Sequence, residues 1–142
     1  MTIATILSNK GSEVTTIPAG TSVRDAVALL KERNIGAVPV VDGDSIVGIF
    51  SERDLVGCIC AYGPDALDHA VERGMSSPAV TIDATTPILT AMAMMTQRRI
   101  RHLPVVESGG IRGIVSIGDL VKFRIEQIEA EANALRAYIQ GV

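Results

Sequence analysis

The seven-residue pattern G-x-x-S-x-x-D occurs twice in this chain, at Gly48-Ser51-Asp54 and at Gly113-Ser116-Asp119. Each serine falls where a β-rich run gives way to a helical one. At that N-cap position a hydroxyl can accept from the amides of the first turn or, with those free amides, meet a phosphate. Three residues on, Asp54 and Asp119 lie in the first turn on a neighbouring face, where a carboxylate can accept both hydroxyls of a ribose. Together the pair could hold a nucleoside phosphate. The same residue types at the same spacing also make an ordinary capping pair favoured by the helix dipole. One copy alone would leave both possibilities open.

The elements that would position these residues are themselves repeated. A shift of 65 residues lays Thr16-Ile17 on Thr81-Ile82, Pro39-Val40-Val41 on Pro104-Val105-Val106, and Asp54-Leu55-Val56 on Asp119-Leu120-Val121. No gap is needed from Thr15 to Val56, and 18 of those 42 positions are identical, so two copies of one unit are present. In the first copy, Val14 to Ile17 is a short β-branched run and Thr21 to Asn34 has helical periodicity. Ile35 to Val41 and Ser45 to Phe50 are strands joined by an Asp42-Gly43-Asp44 hairpin, and Ser51 opens a further helix. The second copy repeats the series with Val80 to Ile82, Pro87 to Arg99, Ile100 to Val106, a Glu107 to Gly110 turn, Ile111 to Val115 and a helix from Ser116. One half alone would leave its apolar face wet, and a second half packed against it would cover that face. The expected fold is therefore α/β (α+β): two tandem β-α-β-β-α units packed by pseudo-two-fold symmetry, plus a C-terminal helical extension. The boundaries are an N-terminal segment 1–13, repeat one 14–62, a connecting helix (Asp65 to Arg73) and linker 63–78, repeat two 79–123, and a terminal helix 124–142.

The doubled G-x-x-S-x-x-D segments, each downstream of an apolar-Pro-Val-Val strand, resemble those of the CBS-domain pair, or Bateman module, over residues 14 to 123. The resemblance implies an adenine nucleotide, AMP, ADP, ATP or NAD, held in clefts between the repeats. The aspartate would take the ribose, and Ser/Thr and basic residues the phosphate. The first strand and the start of the proline-containing strand would enclose the base. Carried over residue by residue, this gives Thr16, Ile35, Ser51 and Asp54 for one cleft and Thr81, Ile100, Ser116 and Asp119 for its mate. The copies differ in their basic residues: Arg101-His102 aligns with Gly36-Ala37, and Arg53 with Gly118. The Asp119 cleft is therefore expected to be the better phosphate site, helped by Arg101 and His102, with Arg53 assisting its own side. The implied role is a regulatory energy sensor that is not an enzyme, has no catalytic cofactor, forms a homodimer and signals to an unidentified regulated protein. The alternative is a constitutive dimerisation scaffold with vestigial pockets.

Composition excludes other classes. The chain has no P-loop, metal-ligand cluster or catalytic triad arrangement. Net charge is −3 and only 3% of residues are aromatic, which speaks against nucleic acid as a partner. No apolar run is long enough for a membrane span, and no secretory signal is evident, so a cytoplasmic location is expected. Cys58 and Cys60 are expected to be buried and inert, and Met92, Met94 and Met95 to fill the core. Val121, Ile125, Ile128, Ala132, Leu135 and Ile139 form an a/d seam that could pack on its own core or on the same helix of a second chain.

Overall fold

The computed structural model describes residues 1–11 and 13–141; Ser12 and Val142 lie outside the described residues. The first repeat comprises β1 (Ile17–Pro18), α2 (Val23–Arg33), β2 (Ala37–Asp42), β3 (Ser45–Ser51) and α3 (Glu52–Tyr62), preceded by a helix α1 (Ile3–Lys10). The second comprises α4 (Ile88–Arg98), β4 (His102–Glu107), β5 (Gly110–Ser116) and α5 (Ile117–Gln140). β1 pairs parallel with β2, and β2 antiparallel with β3; β4 and β5 pair in the same way as β2 and β3. In the second repeat the first strand shrinks to a single bridge, Ile82 to Val105. Both hairpins carry a register shift between the two valines of the Val-Val pair, at Val40/Val41 and at Val105/Val106. The repeat visible in the sequence thus extends to the irregularities of the sheet.

Each repeat has its own core. Ile17, Val23, Leu30, Val38, Val40 and Phe50 build the first, which is completed by Ala66 and Val71 of the connecting segment. Ile82, Ile88, Met95, Leu103, Val105, Val115 and Leu120 build the second, which is completed by Ile3, Ile6 and Leu7 of α1. The N-terminal helix therefore crosses over the repeat that follows it and packs on the other one. Its anchoring contacts have counterparts in the connecting segment. Thr2 bridges Pro87 and the Met1 carbonyl accepts from Ile88 at the start of α4; Ala70 bridges Ser22 and the His69 carbonyl accepts from Val23 at the start of α2.

These contacts explain where the structure departs from the sequence expectation. The 1–13 segment, to which no element was assigned, holds α1; at eight residues it is too short to be stable alone and owes its helicity to the core it covers. The expected helix Asp65 to Arg73 is instead two 3₁₀ turns, Gly63–Asp68 and Val71–Arg73, because His69 and Ala70 are extended to meet α2. Cys58 is buried as expected, whereas Cys60 is exposed. Met95 is buried, with Met92 and Met94 packed against the same core.

The crossing segments also give the first residue of the seven-residue pattern its reason. A Cβ on Gly48 would stand 2.7 Å from Met75 Sδ and 2.8 Å from the Ser76 carbonyl oxygen; one on Gly113 would stand 2.7 Å from Leu7 Cδ2. At Gly48 the obstacle is in part backbone, since Ser76 exchanges both of its main-chain hydrogen bonds with Ile49, whereas at Gly113 it is only the methyl end of the Leu7 side chain. Gly48→Ala should therefore destabilise by about 1–3 kcal/mol and Gly113→Ala by clearly less. Urea denaturation of the two variants checks the order; equal losses would contradict it.

Candidate functional site

Ser51 caps α3 from an extended conformation, φ −127° and ψ 169°, and Ser116 caps α5 in the same way. Both make a full capping box. The Ser51 amide donates to Asp54 Oδ2 at 2.9 Å and the Asp54 amide to Ser51 Oγ at 3.3 Å; the corresponding distances for Ser116 and Asp119 are 2.9 and 3.1 Å. Capping thus accounts for one oxygen of each carboxylate. What the other groups meet differs between the two copies.

At Asp54, the remaining oxygen Oδ1 accepts from the exposed Ser76 hydroxyl at 3.2 Å. A cavity of about 500 Å³ opens beside it, within the size range of small-molecule sites. Ser51, Arg53 and Asp54 line it from the first repeat; Arg99, Arg101, His102 and Ser116 line it from the second. Ile49, Pro78, Val80 and Ile100 supply apolar walls. Arg53 reaches between the repeats, with Nη1 donating to the Arg99 carbonyl at 3.1 Å. Three arginines, Arg53, Arg99 and Arg101, therefore line a cavity that Glu52 and Asp54 also line.

At Asp119 it is the capping oxygen itself that takes a second partner. Lys10 Nζ, at the end of α1, donates to Asp119 Oδ2 at 2.7 Å and to the Ile114 carbonyl at 2.9 Å. Partial burial raises the affinity of the Asp119 carboxyl for its proton. The bonds from Lys10 and from the Ser116 amide outweigh that, and the group ends below the ordinary carboxylate range.

The grouping expected from the sequence is therefore not the one the fold makes. Arg101, His102, Ile100 and Ser116, assigned to the Asp119 side, line the Asp54 cavity together with Arg53. Thr16, Thr81 and Asp119 are not among its lining residues, and Ile35 borders a separate cavity of about 400 Å³ with Glu52 and Leu55. The physical reason is the packing of the repeats: the start of β4 stays bonded to its own capping turn, the Arg101 carbonyl accepting from the Ile117 amide, and that whole corner faces the capping turn of α3 across the cavity. Arg99, Ser76, Pro78 and Val80 were not foreseen in the site. Arg99 carried a faint signal as part of the run Arg98-Arg99-Ile100-Arg101, and Lys10 carried none.

Two of these residues are held under strain or burial. Arg99 is the left-handed cap of α4, at φ 55° and ψ 42°, where α2 has Asn34. A long side chain is disfavoured there. His102 is half-buried, its ring 3.4 Å from where a Cβ on Gly36 would stand. Burial first, and then the charge of Lys10, lower its pKa; Asp119 and Glu52 oppose, and Arg101 adds to the lowering.

Two α/β repeats related by pseudo-symmetry, enclosing a cavity that both of them line, define a paired-repeat module with its site between the repeats. The CBS domain family model matches residues 8–60 and 69–126, and the chain belongs to that family. The mitochondrial CBS domain-containing protein CBSX3 of Arabidopsis thaliana is 37% identical over 125 residues, which cover 84% of this chain and 61% of that protein. The chain thus spans about three fifths of that relative's length. The crystal structure of a CBS-domain containing protein from Agrobacterium tumefaciens superposes with a TM-score of 0.84 at 37% identity, covering 87% of this chain and 99% of that one. The protein CBSX2, solved in complex with AMP, superposes with a TM-score of 0.72 at 26% identity over 90% of this chain and 98% of its own.

Two outcomes follow from the site's geometry. Arg99→Gly should raise stability by about 1 kcal/mol by relieving the left-handed cap, while Arg99→Ala should give no such gain; thermal denaturation distinguishes them. Because the folded His102 pKa lies below its ordinary 6.5, the unfolded chain takes up this proton first. His102 therefore contributes a loss of stability as pH falls through 6.5 toward the folded value, and His102→Gln should flatten the pH–stability curve in that window.

Proposed function

We propose that this chain is a regulatory module that binds an adenine nucleotide in the Asp54 cavity and reports its occupancy to a partner protein. The observation that carries this is the arrangement of the cavity: two acidic residues in the first turn of α3, of which Asp54 is fixed by the capping box, three arginines and apolar walls contributed by both repeats. Asp54, after releasing Ser76, accepts the ribose hydroxyls. Arg53, Arg99 and Arg101 provide planar donor forks for phosphate. Ser51 and Ser116 add hydroxyls, and Ile49, Val80 and Ile100 flank the base. The AMP complex of CBSX2 supports the ligand class. Three guanidinium groups favour a nucleotide over an uncharged nucleoside, with AMP and ADP as the first choices and ATP and NAD as the larger ones.

Occupancy can be read at a distance because the ligand would touch both repeats at once. A ligand that binds one relative placement of the repeats better than another shifts the population toward it, and a partner sensitive to that placement registers the change. Catalysis forms no part of this role, in keeping with the generally regulatory use of CBS pairs. The Lys10–Asp119 ion pair competes with any ligand for the second carboxylate, so one nucleotide per chain is expected.

Isothermal titration calorimetry with AMP, ADP, ATP, NAD and adenosine tests the proposal. The expected result is one adenine nucleotide per chain, affinity lowered at least about tenfold by Asp54→Ala or by Arg101→Ala, and adenosine weaker than AMP. Asp119→Ala should leave the affinity near that of the parent. No heat with any of the five ligands would overturn the proposal in favour of a scaffold with vestigial pockets.

A further inference from the structure

His102 opens β4 and pairs in register with Ser116, the cap of α5. Its half-buried ring lines the Asp54 cavity beside Arg101 and Ser116. The aligned residue of the first repeat is the buried Ala37, and His102 belongs to neither hydrophobic core. The imidazole is an addition of the second repeat that packing does not call for. It leans toward the first repeat: a Cβ on Gly36 would stand 3.4 Å from both its Cε1 and its Nε2, and 3.2 Å from Glu52 Oε1. Glycine at 36 leaves the room in which ring and carboxylate approach the same point.

Charged groups reach the ring from every neighbouring element: Lys10 from α1, Glu52 from α3, Asp119 from α5 and Arg101 from its own strand. Arg53, Asp54 and Arg99 line the same cavity. No ion pair among the described residues includes the ring. Two cations and two carboxylates oppose one another around it, and burial decides, keeping the imidazole uncharged at neutral pH.

A phosphate among the three arginines changes that balance. It brings close to two negative charges to the wall that the ring shares, and an opposite charge within about 4–6 Å favours the charged form of a histidine. The imidazolium offers two N–H donors where the neutral ring offers one, and its bond to a phosphate oxygen is charge-assisted. A nucleoside supplies no such charge, so burial keeps the ring neutral against it. A fourth permanent cation at this place would be repelled by the arginines in the free protein. A histidine takes its charge only together with the anion.

We propose that His102 is a specificity-determining residue of the Asp54 site: it takes up a proton as a phosphate enters, and so adds to the affinity for nucleoside phosphates, and not for nucleosides, most strongly in mildly acidic solution. This rests on the reading of the cavity as a nucleotide site and gives that site a pH dependence. Because the ring binds more proton in the complex than in the free protein, its contribution grows as pH falls from the titration point of the complex toward that of the free protein. Above that interval the ring is neutral in both and contributes nothing by charge.

The ring protons of His102 in the nuclear magnetic resonance spectrum report its titration directly, His69 being the only other histidine; their absence from His102→Gln assigns them. Excess AMP should raise the titration midpoint by at least about one pH unit, and adenosine should leave it unmoved. Calorimetry with AMP at about pH 6.5, in buffers of different ionisation enthalpy, should show more proton uptake by the parent than by His102→Gln and binding at least about fivefold tighter; at about pH 8.5 the two should bind alike. The phosphate of AMP itself titrates near pH ~6, alike with parent and variant, so the difference between them isolates the ring. Adenosine should distinguish parent from variant at neither pH. A midpoint unmoved or lowered by bound AMP, or equal proton uptake by parent and variant, would overturn this inference and leave the nucleotide reading standing; a parent that does not bind AMP overturns both. The titration of the parent's own ring does not depend on how the variant folds.

Discussion

Two segments cross between the repeats, and the rest of the molecule depends on how they are seated. α1 and the residues from Ala66 to Ser76 each lie against a repeat sheet, so close to it that a Cβ at Gly48 would meet backbone and one at Gly113 would press on Leu7. Each supplies apolar side chains that complete a core, Ile3, Ile6 and Leu7 on one side and Ala66 and Val71 on the other. Neither repeat could bury its sheet without them. The domain boundaries drawn by alignment are therefore not boundaries of burial, because α1 precedes the first repeat in the chain and belongs to the second in space.

The same crossing breaks the equivalence of the two clefts. Both capping boxes are intact and nearly superimposable in their hydrogen bonds. The difference lies in what each crossing segment presents to the aspartate: a neutral serine hydroxyl at Asp54 and a lysine ammonium at Asp119. An ion pair that also reaches a backbone carbonyl neutralises the carboxylate of Asp119, whereas a single long hydrogen bond to an exposed hydroxyl leaves Asp54 free to exchange partners. Because the start of β4 is turned to the first cleft, the arginines of the second repeat are added to Arg53. Anion-binding capacity and an available carboxylate thus meet on one side of the pseudo-two-fold axis.

Much of this was legible in the residues. Register, element order, the capping roles of Ser51 and Ser116 and the continuous terminal helix follow from periodicity and from the 65-residue repeat, because these are local or internally duplicated signals. The partition of Ile100, Arg101 and His102 between clefts was not, since it depends on how two copies pack, and each copy contains equivalent positions. α1 escaped notice because eight residues carry too little periodicity to separate a packed helix from a tail. Arg99 was missed for a related reason: its place is set by a left-handed cap that the sequence of α4 alone does not require, and the favoured residue there, as at Asn34, would have no charge.

The most direct measurement is a crystal structure of the chain grown with AMP. The account predicts the ribose hydroxyls on the Asp54 carboxylate, the phosphate among Arg53, Arg99 and Arg101, and the Lys10–Asp119 ion pair undisturbed. A nucleotide seated on Asp119 with Lys10 displaced, and the Asp54 cavity left empty, would contradict it.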